Sequence, residues 1–130
     1  MFPDYASEEQ RYWRDTGLFP IMHVMVVRRG ILQAHPSLAG ALVLAFARAR
    51  DLALAELEIE QAPRVMLPWA PAHLEQTRSV MGRDFWPYGA AANRLVLETQ
   101  IGWAHAQGLI SRRIALDEFF APGALALADC

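Results

Sequence analysis

Two groups of residues in this 130-residue chain have the types and spacing that do chemistry. The first is a single imidazole, His23, inside the otherwise apolar run Ile21 to Val27. An unperturbed imidazole titrates near ~6.5, so a histidine can deliver a proton at neutral pH. The second is the stretch Asp84 to Arg94, which holds Asp84, Trp86, Tyr88, Asn93 and Arg94. Trp86 and Tyr88 supply flat apolar walls with a polar handle. Asn93 and Arg94, at the start of a helix, can aim donors at an anion, and the helix dipole assists there. Together this second group suits a small aromatic acid. Each group also has a plainer reading, which spacing alone favours. His23 can be a hydrogen-bonded core histidine. Trp86 and Tyr88 can simply pack their loop onto the core, with Asp84 paired to an arginine.

Other chemistries find no support. The histidines at 23, 35, 73 and 105 form no HExxH and no short pair, so no metal site is expected. GxSxG, P-loop and GxGxxG motifs are absent. Ser7, Ser37, Ser79 and Ser111 offer no setting for a nucleophile. All 12 basic residues are arginines, which excludes a Schiff-base lysine. A net charge of −2 and a pI near 6.0 point away from nucleic acid and anionic membranes. The longest apolar run, residues 39–47, falls well short of the ~18 residues of a membrane span. The lone Cys130 forms no intrachain disulfide, and MFPDYASEEQ is no secretory signal. The expectation is a cytoplasmic protein with no nucleic-acid or membrane partner.

The elements that must position these residues begin with Ile21 to Val27. The run is apolar on both faces except at His23, the pattern of a central strand in an α/β sheet. Ile21, His23, Met25 and Val27 would share one face, and Met22, Val24 and Val26 the other. Ahead of it, Ser7 and Gln10 fit a capping box for a helix to about Asp15, stopped at Gly17, with Tyr12 and Trp13 packed. Behind it, Ile31–Ala34 can form a helical turn. A long helix opens at His35-Pro36 and reaches about Gln61, burying Leu38, Leu42, Ala45, Phe46, Ala49, Ala53 and Leu57. Pro63, Pro68 and Pro71 break the next stretch, where Met66, Leu67 and Trp69 are expected to be buried. A helix follows over Pro71–Met81 with Leu74, Val80 and Met81 inward. Another spans Ala90–Gln107, with Asn93, Leu97, Ile101 and Ala104 on one side and Gly108 at its end. Asp117 would cap a last turn stopped by Pro122. One or two strands thus stand against five or six helical segments, a partial fold. A lone strand leaves an unpaired edge, which implies a homo-oligomer or a missing N-terminal part.

The stretches FPDY, YWRDTGLFPIMHVMVVRR, HPSLAGAL, MLPW and DFWPYGAAANR resemble the C-terminal part of the 4,5-dihydroxyphthalate decarboxylase family. That family is similar to the type 2 periplasmic solute-binding proteins of ABC transporters. The resemblance runs from Phe2 to about Pro122. It implies a two-lobed α/β fold around a ligand cleft, of which residues 1–130 are one C-terminal segment. Residues 1–29 would be a lead helix and crossover strand, 30–122 a helical part, and 123–130 a tail. It implies that Ile21–Val27 lies at or near the return crossover and that His23 faces the cleft. The implied reaction removes one carboxylate from a catechol dicarboxylate. It needs no organic cofactor, and a divalent metal is left open. For that reaction His23 is the inferred acid and Arg94 the holder of a carboxylate. Trp86 and Tyr88 wall the ring, and Asn93 and Asp84 complete the binding set. Two alternatives stand beside it. One is a non-catalytic solute-binding protein for a small organic acid, with His23 structural. The other is an inactive fragment that only self-associates.

Overall fold

The computed structural model describes residues 2–59 and 64–127. Among them are seven helices and no strand. This overturns the expected α/β sheet. Residues 18–28 are irregular, and Ile21–Val27 pairs with no strand among the described residues. The physical reason is the one that made the run conspicuous: a strand satisfies its backbone on a neighbour. No second strand is described here. The expected covering of both faces fails with it, since Met22 is 68% and Val26 85% exposed, and His23 is exposed too. Ile21 and Val27, at the two ends, are half-buried.

The chain divides into two units, residues 1–17 with 46–86, and residues 18–45 with 87–130. The first unit holds α1 (Tyr5–Thr16), the C-terminal part of α3 (Leu38–Glu56) and α4 (Ala70–Met81). Asp4, rather than Ser7, caps α1: its carboxylate accepts the Ser7 backbone N–H at 3.2 Å. The residue three positions before the serine reaches the free N–H first, so the expected capping box does not form. Gly17, at φ 67°, ends the helix as expected, and its N–H donates to the Trp13 carbonyl at 2.7 Å. Trp13 is half-buried while Tyr12 stays exposed, and α1 packs against α4. On α4, Leu74, Val80 and Met81 are half-buried, and Gly82 closes the helix at φ 86°. Met66, Leu67 and Trp69, expected inside, are 96%, 62% and 72% exposed. The prolines that isolate them leave no periodic face to fold inward. Gln61 and Pro63 lie outside the described residues, as does Cys130.

The second unit holds α2 (Arg29–Ala34), the start of α3, α5 (Arg94–Ala106), α6 (Leu116–Phe119) and α7 (Pro122–Leu125). Its core is Ala90, Leu97 and Leu116, with Ile21, Ile101, Phe120 and Leu125 packed against them. The turn α6 ends before Pro122 as expected, and Pro122 opens a further turn, α7, its missing N–H harmless at a first helical position. The start of α3 approaches α7 closely. A Cβ on Gly40 would sit 3.2 Å from the Gly123 carbonyl oxygen. Along α3 the expected stripe holds only at its start: Leu38 and Leu42 are half-buried beside Ala39 and Val43, whereas Ala45, Phe46, Ala49, Ala53 and Leu57 are exposed and Ala47, Arg50 and Leu54 face inward. Apolar residues occur on every side of this helix, so its period selects no face. In α5 the expected stripe holds: Leu97 is buried, and Asn93, Ile101 and Ala104 are half-buried.

Candidate functional site

The loop that carries Asp84, Trp86 and Tyr88 is fastened at both ends by side chains reaching back to backbone. In the first unit, Arg50 on α3 keeps only 10% of its side chain exposed. Its Nη1 donates to the Trp86 carbonyl oxygen at 3.4 Å and lies 3.9 Å from the Asp84 carboxylate. Its Nε and Nη2 both reach Asp51 Oδ1, at 3.0 and 2.8 Å. The plainer reading of Asp84, pairing with an arginine, is thus what the geometry shows.

In the second unit, Asn93 sits at the N-cap of α5, but its side chain does not cap the helix. Its Nδ2 donates to the carbonyl oxygens of Pro87 and Gly89, each at 2.9 Å. Both amide hydrogens are therefore committed to the loop, and Asn93 offers an incoming anion no donor. Gly89, at φ 95°, makes the reversal that brings its carbonyl there. Arg94 pairs with Glu98 one turn along α5 at 2.8 Å, with both side chains more than half exposed. An exposed pair of this kind is weakly held. A carboxylate ligand could draw the guanidinium away from it.

His23 stands in a different setting. With Ile21, Met22 and Val24 it lines a concavity of about 290 Å³ in the second unit. The other walls come from α5, through Leu97, Gln100, Ile101 and Ala104, and from Ile110, Ile114 and Phe119. Phe119 meets Phe120 edge to face, with ring centroids 5.1 Å apart. His23 has no hydrogen-bond partner among the described residues, so it is not the satisfied core histidine of the plainer reading. The lining of the concavity is apolar apart from His23 and Gln100. No arginine lines it, so a dicarboxylate could not be neutralised within its walls alone.

Of the residues singled out from the sequence, Asp84 and Trp86 belong to the first unit. His23, Tyr88, Asn93 and Arg94 belong to the second. The sequence reading missed Arg50 and Gln100. Gln100 was within reach of it: it lies seven residues after Asn93 and three after Leu97, on the inward side of α5. Among the described residues no cluster of three or more His, Cys, Asp or Glu could hold a metal ion. None of the described helices is long and apolar enough to cross a membrane.

No protein-family model matches the chain. The chain is 39% identical over 125 residues to a 4,5-dihydroxyphthalate decarboxylase of Comamonas testosteroni, an alignment that takes in 96% of this chain and 38% of that protein. It is therefore related to part of a decarboxylase and spans well under half of that relative's length.

Proposed function

We propose that this chain is the C-terminal portion of a decarboxylase-type carboxy-lyase acting on a catechol dicarboxylate. The observation that carries the proposal is the 39% identity across almost the whole chain. Its apolar surface supports the portion reading. Met22, Val26, Met66 and Trp69 are each more than two-thirds exposed, as expected of a chain that packs against further structure in a longer protein. In this reading the chain alone is inactive, and the rest of the protein supplies the cation that a dicarboxylate needs beyond Arg94.

The reaction uses the substrate's own hydroxyl as its source of electrons. A ring oxygen para to the leaving carboxylate pushes density onto the carbon that bears it. His23 delivers a proton to that carbon, and the carbon–carboxylate bond breaks to release carbon dioxide. The electron pair of that bond restores the aromatic ring, and solvent returns a proton to the imidazole. Arg94 receives a carboxylate by exchanging Glu98 for it, its fork matching the two oxygens. Tyr88 walls the ring, Asp84 stays with Arg50, and Asn93 shapes the loop. The compartment this reading implies is the cytoplasm.

The test is a chimera in which this chain replaces the aligned part of the Comamonas decarboxylase. Carbon dioxide release from 4,5-dihydroxyphthalate should be retained. His23→Ala in that chimera should abolish release and spare substrate binding. A folded chimera that binds the acid without consuming it would favour the solute-binding alternative instead.

A further inference from the structure

We infer that Gln100 is the positioning residue of His23, an inference that rests on reading His23 as the proton donor. Residues 20–27 make a single hydrogen bond among the described residues: Gln100 Nε2 donates to the Ile21 carbonyl oxygen at 3.2 Å. Every other backbone group of that segment lacks a protein partner there, because no strand lies alongside. Ile21 is also where the segment touches the apolar core. Beyond it, Met22 to Val26 are exposed. The polar tie and the apolar one thus fall on the same residue, two positions before His23. They fix where the chain leaves the core and therefore where the imidazole stands at the concavity.

Gln100 suits this role because α5 holds its Cα and its amide carries a donor of fixed reach. Its side chain lines the same concavity as His23, so the tie and the imidazole share one wall. Without that donor the half-buried Ile21 carbonyl must find water. The segment can then swing, since nothing else among the described residues bonds it.

The experiment is NMR of the full chain with isotope-labelled histidine, comparing the parent with Gln100→Met and Gln100→Glu. Met keeps the length and removes the donor, and Glu at neutral pH can only accept. In both, the His23 ring resonances should shift toward those of the exposed His73 and His105, which should themselves stay in place. The Met22 and His23 amides should gain fast motion. Unchanged His23 resonances in either folded variant overturn the inference. Loss of the folded spectrum in both overturns it as well, since Gln100 would then be a general stability residue. Turnover does not enter this readout. Normal carbon dioxide release by His23→Ala in the chimera would remove the proton-donor reading and leave the positioning intact.

Discussion

The two units bury different kinds of residue. The second is organised by two leucines and an alanine, Leu97, Leu116 and Ala90, with four further apolar side chains against them. In the first, the buried residue among those described is Ala47, and the next inward position of its helix is an arginine. Arg50 is deeply covered, yet it bonds Asp51 and the loop carbonyl of Trp86. One unit is therefore held by area removed from water. The other relies more on caps, ion pairs and a charged side chain laid against backbone. The concavity that His23 lines sits in the unit that has an apolar core to shape it.

Core substitutions should break the comparison most sharply. Leu97→Ala and Leu116→Ala each remove a buried side chain and should cost about 2–5 kcal/mol. Hydrogen exchange should read the loss in α5 and α6. Ala47→Gly, at the buried position of the first unit, creates almost no cavity. It should cost about 1 kcal/mol, chiefly as helix propensity. Equal losses at Leu97 and Ala47 in denaturant melts would show that the contrast in burial does not govern stability.

The sequence was legible where one face of a helix is apolar and the other is not. In α5 the stripe Asn93, Leu97, Ile101 and Ala104 is inward as read, and Gly17, Gly82 and Gly108 all stand at positive φ just past helix ends. Reading failed where apolar residues are everywhere. Along α3 the stripe as read holds at Leu38 and Leu42 but fails from Ala45 onward, where inward positions fall on Ala47, Arg50 and Leu54, because apolar residues occur on every side of that helix. The same ambiguity produced the larger error at Ile21–Val27. An apolar run says that a segment prefers company, but whether it becomes a strand depends on a partner elsewhere. At the candidate site, residue types were readable and partners were not. Nothing in the spacing reveals that the Asn93 amide is used up on Pro87 and Gly89. Nor does it reveal that Asp84 faces Arg50.

Glycines sharpen the contrast at the next scale. In the first unit, Gly82 holds φ 86° and ψ −175°, a conformation close to exclusive to glycine, with open space around it. Gly82→Ala should cost about 1–3 kcal/mol through backbone strain alone. In the second unit two helical glycines should respond with opposite signs. Gly40→Ala drives a methyl to 3.2 Å from the Gly123 carbonyl oxygen, a backbone atom that cannot swing aside. Gly102→Ala meets only the end of the Arg113 side chain, at an ordinary 3.7 Å. Thermal melts should show Gly40→Ala lowering stability. Gly102→Ala should raise it by up to about 1 kcal/mol, the helix-propensity gain. A stabilising Gly40→Ala would mean that α3 and α7 are not in the close approach described.

The smallest effect separates two carboxylates that titrate low for different reasons. In the second unit the Arg112 guanidinium, assisted by the Ala115 N–H, holds the Glu118 carboxyl below its ordinary value. The fork is bidentate, at 2.9 and 2.7 Å. In the first unit the Ser7 side chain and backbone N–H hold Asp4 below its own ordinary value. A carboxyl depressed on folding adds stability above its unfolded pKa and loses it as pH falls through the folded one. Both contributions are therefore complete at neutral pH and disappear on acidification below about pH 4, the ordinary carboxylate range. Both groups lie on the surface, so the change is a modest fall in melting temperature. Salt should tell them apart. The Glu118–Arg112 attraction is between two full charges in water and is largely screened at about 1 M salt, where the Debye length is near 3 Å. The Asp4 cap is a hydrogen bond to helix N–H groups and depends less on screening. In high salt the acid-induced loss should shrink for Asp4→Ala, which retains only the Glu118 part, and persist for Glu118→Gln, which retains the cap. Equal salt sensitivity in the two variants would mean that Asp4 acts on α1 as a charge on the helix dipole rather than as a cap.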